Sequence, residues 1–302
     1  MKIAALEFAG AETTMGLALV CSAVKAVWPD AEIAKADMVT AKKADYLFVT
    51  LIWWRDFYAF LRFLADAGID PRKRRPHIII GGMAAINPRP LAGYWHTAIV
   101  GDGEACIVEV LRRLESGGDP AGIDGVWSDS GCKLATYPGI PAEQYVDLRT
   151  NKATRIEIAR GCRAKCAFCH LAFLKPYREQ PYEVIRHLVM TAPTKTIALF
   201  APDRCGHSDI AKIEALCSRL GKTNTGSDTR LELLGKIDVA SRVRFGVEAF
   251  SERTRRKLHK ITTNEELLEG LRHVALRLKT PKGKRHTVAT LYLIGDLPGE
   301  GP

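Results

Sequence analysis

Three of the chain's 8 cysteines fall within one stretch, Arg160-Gly-Cys-Arg-Ala-Lys-Cys-Ala-Phe-Cys-His170. The spacing is Cys162-x3-Cys166-x2-Cys169. Three thiolates on one short loop can converge on a single metal centre, and soft thiolates select zinc, copper or iron–sulfur clusters. A structural zinc site closes with a fourth Cys or His, usually from a second closely spaced pair. The sequence has no second Cys-x2-Cys pair, and His170 could serve only by straining a tight loop. Three ligands suit a cluster with one open iron. The other cysteines (Cys21, Cys106, Cys132, Cys205 and Cys217) are scattered, and most of them read as small buried hydrophobes.

The cysteine spacing, with Phe168 just before the last cysteine and a predicted strand just before the first, resembles the signature of the radical S-adenosylmethionine superfamily. The resemblance implies a [4Fe–4S] cluster on Cys162, Cys166 and Cys169. Its fourth iron would be chelated by the amino and carboxylate groups of S-adenosylmethionine, with Phe168 against the adenine. It implies reductive cleavage of S-adenosylmethionine to a 5′-deoxyadenosyl radical that removes a hydrogen atom from a substrate. An electron donor such as flavodoxin or ferredoxin would feed the cluster.

Two further stretches are similar to this family. Val243-Arg-Phe-Gly-Val-Glu-Ala-Phe-Ser251 resembles a Gly-Val-Glu-Ser segment at the fourth barrel strand, with Ala249 in place of the usual serine. By that resemblance Glu248 contacts S-adenosylmethionine; the residues alone equally allow a pair with Arg244 or Lys260. Leu291-Tyr-Leu-Ile-Gly-Asp-Leu-Pro-Gly-Glu300 is similar to the stretch after the fifth strand, with Asp296 where glycine is common. Arg204, Cys205 and His207 form a polar cluster after a predicted strand. A thiol there could return a hydrogen atom to a product radical or bind an extra metal. The plainer reading is a loop whose Ser208 caps a helix.

These groups need a frame to hold them. Apolar runs at Ile3–Phe8, Glu32–Met38, Tyr46–Trp53, His77–Gly82 and Thr97–Gly101 alternate with helical patterns at Thr14–Val27, Phe57–Ala67 and Glu104–Leu114. That rhythm predicts βαβ units and a doubly wound parallel sheet. Residues 115–150 are rich in turn formers and read as a connector with one hairpin. The alternation then resumes. Strands are expected at Arg155–Ala159, Thr196–Phe200, Arg230–Leu233, Val243–Val247 and Thr287–Ile294, with helices at Pro181–Met190, Ser208–Leu220 and Asn264–Leu278. The expected fold is α/β throughout, with a partial (β/α) barrel like a TIM barrel in the second half. The expected domains are residues 1–117, a connector at 118–150, and 151–302. Five strands leave such a barrel unfinished. A truncated chain, a second chain that completes the barrel, or a five-stranded protein would each account for this.

The first domain resembles the cobalamin-binding fold that precedes many radical S-adenosylmethionine domains. Thr50-Leu-Ile, Gly81-Gly82 and Gly101-Asp-Gly-Glu104 carry that likeness, and it makes Gly81 and Gly82 candidate cofactor contacts. The cobalt-ligating Asp-x-His-x-x-Gly motif is missing: Ala9-Gly-Ala-Glu-Thr-Thr-Met-Gly16 contains no histidine. Some family members bind cobalamin without a protein ligand to cobalt. Trp53 and Trp54 would either face a corrin or cover the crevice as core aromatics.

Charge narrows the partners. The net charge is +10. Residues 1–150 carry 16 Lys and Arg against 18 Asp and Glu, while residues 151–302 carry 28 against 16. A basic half suits nucleic acid or a phosphorylated substrate, with Arg72-Lys-Arg-Arg75 and Arg253 to Lys260 as candidate phosphate contacts. A solvated basic face is the plain alternative. No apolar run approaches the roughly 18 residues a membrane span needs, and the N-terminus lacks a signal-peptide layout. The expectation is a soluble, cytoplasmic protein with no membrane partner. Three function classes follow: a radical enzyme modifying a nucleotide or nucleic acid, or a cobalamin-dependent methyltransferase of a small molecule or peptide; a zinc-held nucleic-acid-binding module; and an electron carrier.

Overall fold

A computed structural model describes residues 1–8, 14–142, 145–146, 153–224, 228–230, 242–278, 288–295 and 297. They form two compact units, residues 1–138 and 139–302.

In the first unit the alternation becomes β1 (Lys2–Glu7), α1 (Met15–Val27), β2 (Glu32–Lys35), α2 (Met38–Lys43), β3 (Tyr46–Thr50), α3 (Asp56–Ala67), β4 (His77–Gly81), β5 (Thr97–Ala98) and α4 (Ile107–Glu115). The five strands are parallel, in the order β2-β1-β3-β4-β5. Every residue of β3 is buried, because helices cover both faces of a parallel sheet. Strand periodicity then divides the apolar residues. Leu47, Val49, Ile78 and Ile80 pack with Phe60 and Leu64 of α3 on one face. Tyr46, Phe48 and Ile79 pack with Val24 of α1 and Val110 and Leu111 of α4 on the other. This is the doubly wound sheet that the sequence predicts.

Two details differ from the sequence reading. The strand expected over Glu32–Met38 stops at Lys35, and α2 follows. Asp37 starts that helix: its carboxylate accepts from the Val39 and Thr40 backbones, and the Thr40 hydroxyl accepts from the Asp37 N–H. That reciprocal cap satisfies three backbone donors in a helix of six residues. Part of the expected connector also belongs to this unit. Ile123, Val126 and Ala135 are buried against its core. The Val100 N–H donates to the Gly125 carbonyl, and the Ala135 N–H to the Val100 carbonyl. Residues 123–135 therefore cover the edge beside β5.

In the second unit, β7 (Ala153–Glu157) lies between β6 (Tyr145–Val146, antiparallel) and β10 (Thr196–Phe200, parallel), and β10 pairs in parallel with β11 (Thr223–Asn224). A second parallel sheet contains β12 (Asp228–Thr229), β13 (Arg242–Glu248) and β14 (Val288–Leu293). β11 and β12 belong to separate sheets, and residues 225–227 separate them in the chain. The strand expected at Arg230–Leu233 lies outside the described residues beyond Arg230, as do Asp296 and the Pro-Gly-Glu that ends that stretch. The helices α6 (Tyr182–Thr191), α7 (Ile210–Arg219) and α9 (Asn264–Leu278) supply Ile185, Val189, Ile213, Leu216, Leu267 and Val274 to a core with Ile156, Ile197, Leu199, Phe245 and Val247. Among the described residues, no helix is long and apolar enough to cross a membrane.

Gly82 sits where two strand ends meet. Its φ is +99°, and a Cβ there would lie 2.4 Å from the Leu51 carbonyl oxygen. Gly16, in α1, has open space around it. Gly82→Ala should therefore destabilise the protein by about 1–3 kcal/mol, while Gly16→Ala should stabilise it by about 0.5–1 kcal/mol. Urea denaturation followed by circular dichroism checks both signs.

Candidate metal centre and its surroundings

The three cysteines lie on an excursion from the first barrel strand. After β7 the chain forms β8 (Ala159–Arg160), and the loop returns through β9 (Arg178–Glu179), which pairs with β8 in antiparallel register. The base of the loop is close-packed. Gly161 has φ +74°, and a Cβ there would lie 2.6 Å from the Lys175 carbonyl oxygen and 2.7 Å from that of Pro176. Cys166 is buried, and Cys162 and Cys169 are half-buried. The Cys169 N–H donates to the Cys166 carbonyl at 3.0 Å, which tightens the second half of the motif into a turn. Phe168 is 43 % exposed, and its ring is uncommitted to the core. His170 is exposed at the start of the short helix α5 (Leu171–Leu174).

Burial pushes the Cys162 thiol above its ordinary range, the Ala164 backbone opposes that shift, and Asp203, Cys166 and Cys169 add to it. Cys106, Cys205 and Cys217 are buried, as expected of core thiols, while Cys21 and Cys132 are half-buried. Burial holds Cys21 and Cys106 up at about 12 and Cys217 at about 11.

Two charged networks hold the loop. Glu157 and Arg160, both buried, make a two-pronged pair, Nε to Oε1 at 2.9 Å and Nη2 to Oε2 at 2.7 Å. This geometry is the strong form of a charge-assisted bond, and it fixes the strand immediately before Cys162. Glu179 is the second anchor. It accepts from Arg163 Nη2 at 2.9 Å, from the Tyr177 hydroxyl at 2.5 Å and from the Ser208 N–H at 2.9 Å. Arg163 also stacks over the Tyr177 ring at 4.6 Å. Since Arg163 directly follows Cys162, this network ties the first cysteine to both ends of the excursion.

The far side of the loop reaches the region after β13. The Ala167 N–H donates to the Leu258 carbonyl at 2.9 Å, just beyond α8 (Glu252–Lys257). In α8, Arg255 is fully buried. Its guanidinium donates to the Thr262, Ala249 and Phe250 carbonyls and to Asn264 Oδ1. It thereby fixes the turn that follows Glu248. That turn is strained: Glu248 has φ +66°, and the Ala249 N–H donates to the Val247 carbonyl at 2.8 Å, as in a γ-turn. The β13–β14 register shifts between Gly246 and Glu248. The carboxylate folds back over Gly246, where a Cβ would meet Glu248 Oε1 at 1.8 Å, and Lys260 Nζ donates to that oxygen at 3.2 Å. The structure thus shows the Lys260 pair among the two arrangements the residues allow. Arg230 approaches from immediately after β12, with Nη1 donating to Cys166 Sγ at 3.6 Å.

Cys205 does not sit on an open loop. It is 1 % exposed, inside the apolar cluster of the second unit. The neighbouring His207 is also buried. Its Nδ1 accepts from the Asp209 N–H, so Nε2 donates to the Gln180 carbonyl at 3.1 Å. Ser208 caps no helix; its backbone serves Glu179 instead. In the basic stretch Arg253 to Lys260, Arg255 and Lys260 are buried and engaged within the chain, and Arg256 pairs with Glu252. In the first unit, Gly81 and Gly82 lie at the carboxyl end of β4. Trp53 and Trp54 are exposed after β3, so they are not core aromatics. Residues 9–13, where the cobalt-ligating motif is missing, lie outside the described residues.

The donor set fits an iron–sulfur cluster: three thiols on one loop, with a fixed cation at the most buried of them. Among the described residues, no three His, Cys, Asp or Glu side chains converge as they would around a single ion. Thiolates that each serve a different corner of a cuboidal cluster need no such convergence.

Residues 156–296 match the Radical SAM superfamily, and residues 32–121 match Radical SAM proteins, N-terminal. Residues 156–296 thus carry a radical SAM domain, preceded by a region like the N-terminal part of radical SAM proteins. Among solved structures, the chain is similar to the cobalamin-dependent S-adenosylmethionine radical enzyme OxsB. With aqua-cobalamin and S-adenosylmethionine bound, that enzyme gives a TM-score of 0.69 at 14 % identity over 97 % of this chain. With aqua-cobalamin alone the TM-score is 0.70, again at 14 % identity over 97 % of this chain. At this identity the likeness is one of fold. The chain spans 49 % of the length of those structures. No curated protein matches the sequence.

Two outcomes follow from the site's charges. Lys260→Met leaves the Glu248 carboxylate buried without its cation and should cost about 3 kcal/mol. The double variant with Glu248→Gln should recover part of that loss, which a double-mutant cycle in urea measures. The second concerns acid. Burial raises the Glu179 carboxyl, but its hydrogen bonds with Ser208 and Tyr177 outweigh this and leave it below the ordinary range. Its contribution to stability is complete above the unfolded value of about 4.3 and is lost as pH falls through the lower folded value. Glu179→Gln should flatten the acid limb of the stability curve.

Proposed function

We propose that this chain starts radical chemistry on an unreactive C–H bond of its substrate, with a [4Fe–4S] cluster held by Cys162, Cys166 and Cys169. The observation that carries the reading is the closed, clamped excursion presenting three thiols, within residues 156–296 that match the radical SAM superfamily. A cluster held by these cysteines would supply the electron for reductive cleavage of S-adenosylmethionine to methionine and a 5′-deoxyadenosyl radical that abstracts hydrogen from the substrate. The protein's part is placement. The Glu157–Arg160 and Glu179 networks hold the ligand loop, Phe168 offers an exposed ring to the adenine, and Glu248, held by Lys260 at the end of β13, would contact S-adenosylmethionine. Cys205, in the core, is no part of this proposal. A low-potential protein such as flavodoxin or ferredoxin would donate the electron.

Anaerobic reconstitution with iron and sulfide should give brown protein that cleaves S-adenosylmethionine to 5′-deoxyadenosine with dithionite. Cys162→Ala, Cys166→Ala and Cys169→Ala should each abolish cleavage, while Cys217→Ala should retain it. Colourless protein with stoichiometric zinc would overturn the proposal in favour of a zinc-held module. A cluster without cleavage would favour an electron carrier.

The first unit supports a second component, cobalamin. Its strand order is the flavodoxin-like one, in which ligands lie beyond the carboxyl ends of the strands. The similar solved enzyme is described as cobalamin-dependent. Gly81 adds a local reason. A Cβ there would lie 3.6 Å from the Ile99 carbonyl oxygen, an ordinary contact, so the fold does not require glycine at this strand end. The bare backbone is open to a ligand. On this reading, Gly81→Ala should leave the protein folded and weaken hydroxocobalamin binding by about tenfold. Equal affinity in the variant would remove Gly81 from the site. For the substrate, the charge excess of residues 151–302 and the exposed Arg72-Lys-Arg-Arg75 favour an anionic compound such as a nucleotide or nucleic acid.

A further inference from the structure

We propose that Arg230 sets the reduction potential of the cluster through its hydrogen bond to Cys166. This inference rests on the cluster reading above. Arg230 is remote from the motif in sequence: 64 residues separate it from Cys166, and the barrel brings them together. It directly follows β12, whose Asp228 and Thr229 pair with Arg244 and Phe245 of β13. It therefore hangs from the strand next to the one that ends in Glu248, and Nη1 reaches Cys166 Sγ at 3.6 Å. Cys166 is the most buried of the three ligands. A charge close to it is screened less by water than one at the exposed ligands would be.

Electrostatics gives the direction. Reduction adds one electron to the cluster and forms no bond, so it adds one negative charge to a centre already rich in sulfur. A guanidinium beside a ligand sulfur stabilises the reduced state more than the oxidised one. Hydrogen bonds to the sulfurs and net local charge are established levers on such potentials. The choice of arginine matters as well. Its charge does not titrate in proteins, so its effect on the cluster is the same across the working pH range. Arg230 is thus a positioning residue that acts through Cys166.

The test is an EPR-monitored redox titration of reconstituted full-length protein, with dithionite as the reductant. Variants Arg230→Gln and Arg230→Lys are compared with wild type. The wild type must first show the reduced [4Fe–4S] signal, and its absence sinks the cluster reading rather than the role of Arg230. In Arg230→Gln, the ratio of reduced to oxidised cluster at a fixed ambient potential should fall about tenfold. That corresponds to a midpoint about 59 mV more negative. Arg230→Lys, which keeps the charge, should hold most of the wild-type midpoint. Equal midpoints in wild type and Arg230→Gln overturn the proposal. Should Arg230→Gln fail to assemble a cluster, pulsed EPR of the reduced wild type with 15N-labelled arginine decides. A nitrogen coupling that changes with the label supports the contact, and its absence overturns it.

Discussion

A loop that offers three thiols to one centre has to be closed at its base, and here the closure is backbone against backbone. Gly161 passes the carbonyls of Lys175 and Pro176 so closely that no side chain fits, and β8 pairs with β9 just outside that crossing. Everything between residues 161 and 177 is thereby reduced to one excursion with a fixed entrance. The cost of ordering it is shared by short-range contacts: the turn from Cys166 to Cys169 and the cation–π stack of Arg163 on Tyr177. A ligand set placed this way does not rely on the metal to gather its donors from separate elements.

Around that excursion the protein has buried more charge than a core of this kind needs. Glu157, Arg160, Glu248, Arg255 and Lys260 are all nearly or fully inaccessible, and each has its partners. Buried pairs of this sort add little net stability over apolar residues of the same volume. Their geometric demands are strict, and that is their use here. Arg255 commits its guanidinium to carbonyls on both sides of α8 and so fixes the strained turn at Glu248. A relaxed backbone at Glu248 would swing the carboxylate away from Gly246 and Lys260. The positive φ at a non-glycine residue is therefore maintained by a hub seven residues downstream.

What the sequence revealed was what is local. The cysteine motif is legible because its three donors lie within eight residues. The doubly wound sheet is legible because β3 and β4 are continuous apolar runs. The six-residue α2 is hidden in composition and betrayed only by the Asp37 and Thr40 pairing at its start. Residues 118–138 read as a connector because their glycines dominate the pattern, yet Gly125 is small so that Ala135 can pack against it. The Cys205 thiol looks exposed in a polar neighbourhood, but burial is set by how α7 and β10 close over it, and local spacing carries no trace of that. Arg230 could not have been found from spacing, since its partner is 64 residues away.

The two glycines after β4 show how far a motif can be divided by geometry. In the sequence the two form one ligand-approach signal. Gly82 is required by the fold, because its backbone lies against that of Leu51. Its presence would be the same in a sheet that binds nothing. At Gly81 a Cβ would make only an ordinary contact, with the Ile99 carbonyl oxygen at 3.6 Å. Of the pair, only the residue that packing does not explain points to a ligand. The same reasoning separates the charged groups of the second unit. Arg255 is fully accounted for by carbonyls it holds, whereas Arg230 reaches a cysteine of the motif itself, a contact that gains its chemical purpose when the thiol is a thiolate on a metal centre.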